Sequence, residues 1–173
     1  MYLAVSGTCY WCMEAVFRSL RGVSNVEQGF VASKQGKYVE AAFFAFDEKT
    51  VSLEDIARVH LSTHSCTSNH SAREKYPSAM YAIDKQQHAA VANAIAIAAS
   101  DFDAPVMTSA KPFVAFYPNP SAVQNYFWRQ PDKPFCDSKI LPKLKTLAIT
   151  FPRLVKPSAV QYLRETVYGA ERA

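Results

Sequence analysis

The chain lacks any apolar run able to cross a bilayer. Its uncharged stretch from Gln86 to Ser100 is interrupted by Gln87, His88 and Asn93 and is too short to span one. Nor is a secretory leader expected, because Met1 to Val5 carries no basic residue and its apolar run is brief. Glycine is scarce, at 5 of 173 residues, and no internal repeat or low-complexity tract is present, which excludes a collagen-like chain. With 49 % hydrophobic and 20 % charged residues, the composition also excludes a disordered one. A chain of this length can bury roughly 70 % of its unfolded surface, so its core needs no staple. A globular, cytoplasmic protein in a reducing compartment is expected, with no membrane partner.

Basic charge is sparse as well. The net charge is +4, and the segment from Gln130 to Ala173, with eight Lys or Arg against four Asp or Glu, holds the whole excess. No dense basic stripe with interleaved aromatics occurs, so no nucleic-acid partner is expected.

What is present alternates between strand and helix signals. Tyr2 to Val5 is a β-leaning run, Ser6-Gly7-Thr8 punctuates it, and Met13, Val16, Phe17 and Leu20 recur at helical spacing. Gln35-Gly36 marks a turn before an aromatic- and alanine-rich strand from Tyr38 to Phe46. Ser52 and Asp55 form a capping-box pattern for a helix running to about Ser62. Tyr76 to Ile83 predicts a strand, and Asp84 a cap for an alanine-rich helix ending near Ser100. Pro105 to Ala110 and Phe113 to Tyr117 predict two strand pieces, and Asn119 to Trp128 a helix with Pro120 in its first turn. Pro131 to Pro142 reads as a loop, followed by helices around Lys143 to Leu147 and Ala159 to Tyr168. The organisation expected is one mixed α/β layer structure over residues 1–150, with residues 151–173 as a C-terminal extension.

Four cysteines occur: Cys9, Cys12, Cys66 and Cys136. In a reducing compartment they point to thiol chemistry or metal binding before structural disulfides. Cys9-Tyr10-Trp11-Cys12 lies at a helix start, where backbone amides and the helix dipole favour the nucleophilic thiolate. The two-residue gap lets the second thiol reach the first once it is oxidised. Two buried free cysteines are the plain alternative. Zinc would need Cys9 and Cys12 joined by His64, Cys66 or His70, and His64-x-Cys66-x3-His70 is not a standard ligand spacing, so no metal is expected.

The run Gly7-Thr8-Cys9-Tyr10-Trp11-Cys12-Met13-Glu14-Ala15-Val16-Phe17 resembles the signature of methionine sulfoxide reductase A, Gly-Cys-Phe-Trp-Gly then Glu-Ala-x-Phe. Substitution of the last glycine by cysteine occurs within that family. The resemblance continues in order through Leu20-x-Gly22-Val23, Val39-Glu40-Ala41, Phe46-Asp47, His64, Tyr76-x-Ser78-Ala79, Phe116-Tyr117-Pro118, Gln124-x-Tyr126, Phe135-Cys136 and Ile140-x-Pro142-Lys143-Leu144. It covers residues 3 to 148. It implies an α+β fold, a two-layer sandwich around a mixed sheet with a ferredoxin-like core and a C-terminal helical extension.

The resemblance also implies a reaction: thiol-dependent reduction of methionine-S-sulfoxide, free or in oxidised proteins, by a monomer without bound cofactor. Cys9 would be the nucleophile and Glu40 the proton donor, since oxide is a poor leaving group. Glu40, between Tyr38 and Ala42, is expected to have its pKa raised by desolvation. Attack leaves a sulfenic acid at Cys9, which a second thiol condenses to a disulfide for an external dithiol protein, thioredoxin by resemblance, to reduce. Cys136, at the position of a family resolving cysteine in a proline-rich loop that could swing, is favoured over the nearer Cys12. Tyr10 and Trp11 would receive the S-methyl group, and Tyr76 would hydrogen-bond the sulfoxide oxygen.

Several family positions are changed. The second pocket tyrosine is replaced by Phe30 in Gly29-Phe30-Val31-Ala32-Ser33, and the carboxylate of an Asn-Asp pair is absent at Asn69-His70-Ser71. His-Asp-Pro reads His64-Ser65-Cys66, and Ala122-Val123-Gln124-Asn125-Tyr126 lacks a family histidine. Lost donors around a charged transition state cost one to a few orders of magnitude in rate. A slowed reductase, or one for another sulfoxide, is therefore expected, with His70 replacing the lost acid. Two other functions compete: a CxxC thiol–disulfide oxidoreductase, which lacks its cis-proline motif here, and a methionine- or sulfoxide-binding protein with weakened catalysis.

Overall fold

The computed structural model describes residues 1–33 and 37–168. The expected turn at Gln35-Gly36 and the last five residues of the 151–173 extension lie outside them.

Four strands and two helices build the core in the order β1 (Tyr2–Ser6), α1 (Tyr10–Arg18), β2 (Val23–Ala32), β3 (Tyr38–Phe46), α2 (Leu53–Ser62) and β4 (Ala79–Ala82). The strands lie side by side as β4-β1-β3-β2, every neighbour antiparallel, which is the ferredoxin-like arrangement. α3 (Lys85–Ala99) then returns the chain to β5 (Ser109–Pro112), parallel to β4, and β6 (Ala115–Pro118) adds antiparallel to β2. The sheet is thus mixed and six-stranded, and the fold is α+β as the resemblance implied.

Alternate strand residues divide the sheet's two faces. Leu3, Val5, Ala42, Phe44 and Met80 meet Met13, Val16, Phe17, Ile56, Val91 and Ile95 in one helix-covered core. Ala4, Val31, Ala41 and Tyr81 pack on the other face with Val39, Phe43, Phe113 and Phe116. The helix starts follow their caps. Ser52 Oγ accepts the Asp55 amide at 3.0 Å while Asp55 accepts the Ser52 amide, and Asp84 accepts the Gln87 amide at 2.8 Å. Each cap stabilises its helix by about 1 kcal/mol.

Three local expectations change. β2 has no counterpart in the sequence reading, because a bulge between Ser24 and Glu27 breaks its alternation and its buried Gln28 is polar. The helix expected from Asn119 to Trp128 is two short pieces, a 3-10 turn at Ser121–Val123 and α4 (Tyr126–Arg129). Asn125 between them takes the left-handed conformation (φ 59°), which an α-helix cannot contain and asparagine tolerates. The expected loop from Pro131 to Pro142 is helical over most of its length: a π-turn at Cys136–Ile140 runs into α5 (Leu141–Thr150).

α6 (Pro157–Tyr168) follows α5, and Val155, Ala159 and Leu163 enter the same core as the sheet. Lys156 Nζ fastens this segment by donating to Arg18 O (2.8 Å) at the end of α1 and to Val23 O (3.1 Å) at the start of β2.

Candidate active site

Cys9 is the N-cap of α1, extended (φ −58°, ψ 148°) just before the helix begins. Its carbonyl accepts the amides of Cys12 and Met13, and its side chain is partly exposed. Cys12, one turn on, is buried, and the two sulfurs lie 3.0 Å apart in an S–H···S contact. That contact, with the Cys12 amide, draws the Cys9 thiol below its ordinary pKa despite burial, which opposes it. The same contact and burial push the Cys12 thiol up. The pair is therefore polarised, with thiolate formation favoured at the accessible sulfur over the buried one.

Two strands bring a carboxylate to this turn. Glu40 on β3 faces Phe30 on β2 across the ladder, and its Oε2 accepts the Tyr10 amide at 3.2 Å. Its Oε1 lies 3.3 Å from Lys75 Nζ, with the Glu40 side chain only 13 % exposed. Glu40 thus sits in a partly polar setting of one amide and one ammonium, not the wholly apolar strand expected for it. Tyr76, next to Lys75, follows a 3-10 turn at Ser71–Glu74, and the Lys75 ammonium lies 5.0 Å from its ring centre.

An aromatic wall stands beside the sulfurs. Tyr10 meets Phe30 edge-on at 5.7 Å and Trp11 at 5.6 Å, while Trp11 stacks on Tyr126 at 4.1 Å and takes Phe135 edge-on at 5.4 Å. Such contacts hold rigid apolar surface in place. The Trp11 indole N–H is buried without an acceptor among the described residues. Burial, with Glu40 and Cys9 nearby, raises the Tyr10 phenol.

Residues 2–153 match the family described as peptide methionine sulfoxide reductase. The chain belongs to that family. A peptide methionine sulfoxide reductase MsrA of Acinetobacter baumannii (strain AYE) is 30 % identical over 166 residues, spanning 87 % of this chain and 95 % of that protein. The namesake from Picrophilus torridus is 29 % identical over 167 residues, 87 % and 93 % of the two chains. Among solved structures, reduced Mxr1 of Saccharomyces cerevisiae superposes with a TM-score of 0.66 at 15 % identity, over 79 % of this chain and 88 % of that one. Methionine sulfoxide reductase A of Corynebacterium diphtheriae gives 0.60 at 17 %, over 75 % and 74 %. Both share this chain's fold.

The methionine sulfoxide reductase signature thus surrounds one helix start, where Cys9, Cys12, Tyr10, Trp11, Phe30 and Glu40 converge, with Tyr76 bordering through Lys75. Cys136 lies behind this wall, next to the Phe135 that meets Trp11 and in the same apolar cluster. It is fully buried in the π-turn and its Sγ donates to Gln130 O at 3.3 Å, so it is not the thiol of a free-swinging loop. Burial raises it. His70 is the N-cap of the Ser71–Glu74 turn and makes no side-chain capping bond. Among the described residues no group of three His, Cys, Asp or Glu side chains is arranged to hold a metal ion, and no helix is long and apolar enough to cross a membrane.

Four residues of this region had no part in the reaction expected from the sequence. Glu14 on α1, 1 % exposed, accepts the amides of Asn125 and Tyr126. Lys75 pairs with Glu40. His60 and His64 support the turn before Cys9: His60 Nε2 donates to Ser6 O (2.8 Å), and His64 Nδ1 donates to His60 O (2.6 Å). His64 Nε2 then accepts from Ser78 Oγ (2.7 Å). Glu14, inside the signature, and His64, among the collinear family positions, carried a signal that could have been followed.

Proposed function

We propose that the chain reduces methionine-S-sulfoxide, free or in oxidised proteins, with Cys9 as nucleophile. The polarised Cys9–Cys12 pair beside Glu40 supports this reading most directly. Glu40 takes the Cys9 thiol proton, and the thiolate attacks the sulfoxide sulfur. Glu40 then gives the proton to the leaving oxygen, with Tyr76 as a hydrogen-bond donor. Methionine departs with two more electrons on its sulfur, and Cys9 keeps the oxygen as a sulfenic acid. The Cys12 thiol attacks Cys9 Sγ, water leaves, and a Cys9–Cys12 disulfide remains. Cys12 is preferred over Cys136 as the resolving thiol because its sulfur is already in contact, whereas Cys136 must first leave a buried turn.

Tyr10, Trp11 and Phe30 supply the apolar wall for the S-methyl group, and His70, in the turn that leads to Lys75 and Tyr76, is the candidate to replace the lost acid. The reductant is a thioredoxin-like dithiol protein; a solved structure pairs yeast Mxr1, which shares the fold (TM-score 0.55, 13 % identity), with Trx2. The chain acts as a monomer in the reducing cytoplasm, which keeps all four cysteines as thiols.

The test is dithiothreitol-driven reduction of a methionine-S-sulfoxide peptide by the native chain and by Cys9→Ser. Turnover lost in the variant is expected. A folded native chain with no turnover would instead favour a sulfoxide-binding protein.

A further inference from the structure

Glu40 has an uncommon neighbour for a group that must hand a proton to oxygen. Lys75 Nζ lies 3.3 Å from its Oε1, and the lysine side chain is 65 % exposed. An ion pair this open contributes little to stability, so the fold does not need Lys75 there. What fixes its place is the short turn at Ser71–Glu74, which presents Lys75 and Tyr76 consecutively to the edge of the site. The Lys75 amide bonds Ala72 O at 3.1 Å, and Arg73 closes the turn by donating to Ser65 O and to Tyr76 O.

The same site is short of donors. Phe30, opposite Glu40 in the ladder and edge-on to Tyr10, offers a ring with no hydroxyl. Residues 69–71 bring no carboxylic acid. The reaction builds negative charge on the sulfoxide oxygen as the S–O bond breaks, and preorganised donors at that atom supply much of the catalysis in such steps. An ammonium has three N–H donors and full charge.

We propose that Lys75 is a catalytic residue of sulfoxide reduction, its ammonium donating a hydrogen bond to the sulfoxide oxygen beside Glu40 and Tyr76. This rests on the reductase reading above. No additional proton moves: the oxygen ends on Cys9 with the proton that Glu40 relayed, and Lys75 neutralises charge along the way. In the resting site the ammonium rests on the Glu40 carboxylate; once Glu40 holds the thiol proton, the ammonium is released to the incoming oxygen. Tyr76 and then Glu40 favour the charged lysine and raise its pKa, so it remains an ammonium throughout the neutral range. The charged and titratable groups that act on it are Tyr76 beside it, Glu40 on β3 and Tyr10 at the start of α1.

The test compares the native chain with Lys75→Met, Lys75→Arg and the double variant Lys75→Met/Phe30→Tyr, using the methionine-S-sulfoxide peptide and dithiothreitol across pH. Removing one oxyanion donor costs roughly a hundredfold, so Lys75→Met is expected to lose about that in kcat/KM. Lys75→Arg should keep most of the rate and carry it to higher pH, because a guanidinium does not deprotonate. Adding the Phe30→Tyr hydroxyl to Lys75→Met should recover part of the loss. An unchanged thermal midpoint separates these effects from misfolding. The proposal is overturned if the native chain turns over and Lys75→Met matches or exceeds it. It is overturned equally if Lys75→Arg is as slow as Lys75→Met and the added Phe30→Tyr restores no rate. A native chain without turnover sinks the reductase reading itself.

Discussion

Glu14 and Tyr126, 112 positions apart, are joined by a partly buried hydrogen bond: the Tyr126 amide donates to Glu14 Oε2 at 3.0 Å. With the neighbouring Asn125 amide on Oε1, a single carboxylate satisfies both donors where the left-handed Asn125 opens α4. The bond sets the Tyr126 ring flat on Trp11. Arg18 lies 3.5 Å from the same carboxylate, one turn along α1.

Glu14→Ala is therefore expected to weaken both the fold and the site. Two partly buried amides lose their acceptor, at up to about 1–3 kcal/mol each before relaxation. Urea unfolding should show the loss, and KM for the sulfoxide peptide should rise as Tyr126 leaves Trp11. A variant of native stability and KM would show that Glu14 positions nothing.

Gly7→Ala tests the support beneath the nucleophile. A Cβ at Gly7 would lie 2.7 Å from His64 Cδ2 and Nε2. That ring cannot yield easily, being held at both nitrogens by His60 O and Ser78 Oγ. Overpacking of this kind costs roughly 1–3 kcal/mol. The expected readout is a lower thermal midpoint and a higher apparent pKa of the Cys9 thiol, measured by pH-dependent alkylation.

Acid should loosen the same support. Burial, partly offset by the bond to Ser6, lowers the His60 pKa from 6.5 to about 4, and His64 is pushed down by burial and by His60. Between these values the unfolded chain binds the proton that the folded chain refuses. Stability is thus full above pH 6.5 and falls as pH drops toward 4, by about 3 kcal/mol from His60 alone. His60→Leu should flatten that acid slope while costing about 1 kcal/mol at pH 7 through the lost bond to Ser6. Thermal midpoints from pH 4 to 8 would show a persisting slope if other groups carry it.

Cys12→Ser addresses the resolving step. One equivalent of sulfoxide should consume two thiols in the native chain and one in the variant, counted with a thiol reagent and by intact mass. Multiple turnover should fall at least tenfold in Cys12→Ser and remain near native in Cys136→Ser. The opposite pattern would return the resolving role to Cys136.

Local chemistry decided what could be read ahead. β3 spans the predicted Tyr38–Phe46, and α2 and α3 begin where Ser52 with Asp55, and Asp84, cap them. Those signals lie within four residues of the feature they specify. β2 escaped because its bulge after Ser24 and its buried Gln28 depend on partners elsewhere: Gln28 is satisfied by Val123 and Asn119. The site divides in the same way. Cys9, Trp11 and Cys12 announce themselves by spacing, whereas Lys75 reads as an ordinary surface lysine until β3 is folded beside it. The π-turn that buries Cys136 likewise follows from packing on α1, which no proline count reveals.

The short chemical distance between Cys9 and Cys12 has a thermodynamic consequence. A bond closing so small a ring removes little freedom from the unfolded chain, about 2 kcal/mol, where a Cys9–Cys136 bond would remove about 5 kcal/mol. The difference corresponds to about 60 mV in reduction potential. A disulfide that stabilises the fold so little would resist reduction little, and with Cys12 as the proposed resolving thiol, recycling would be nearly independent of how firmly the protein is folded.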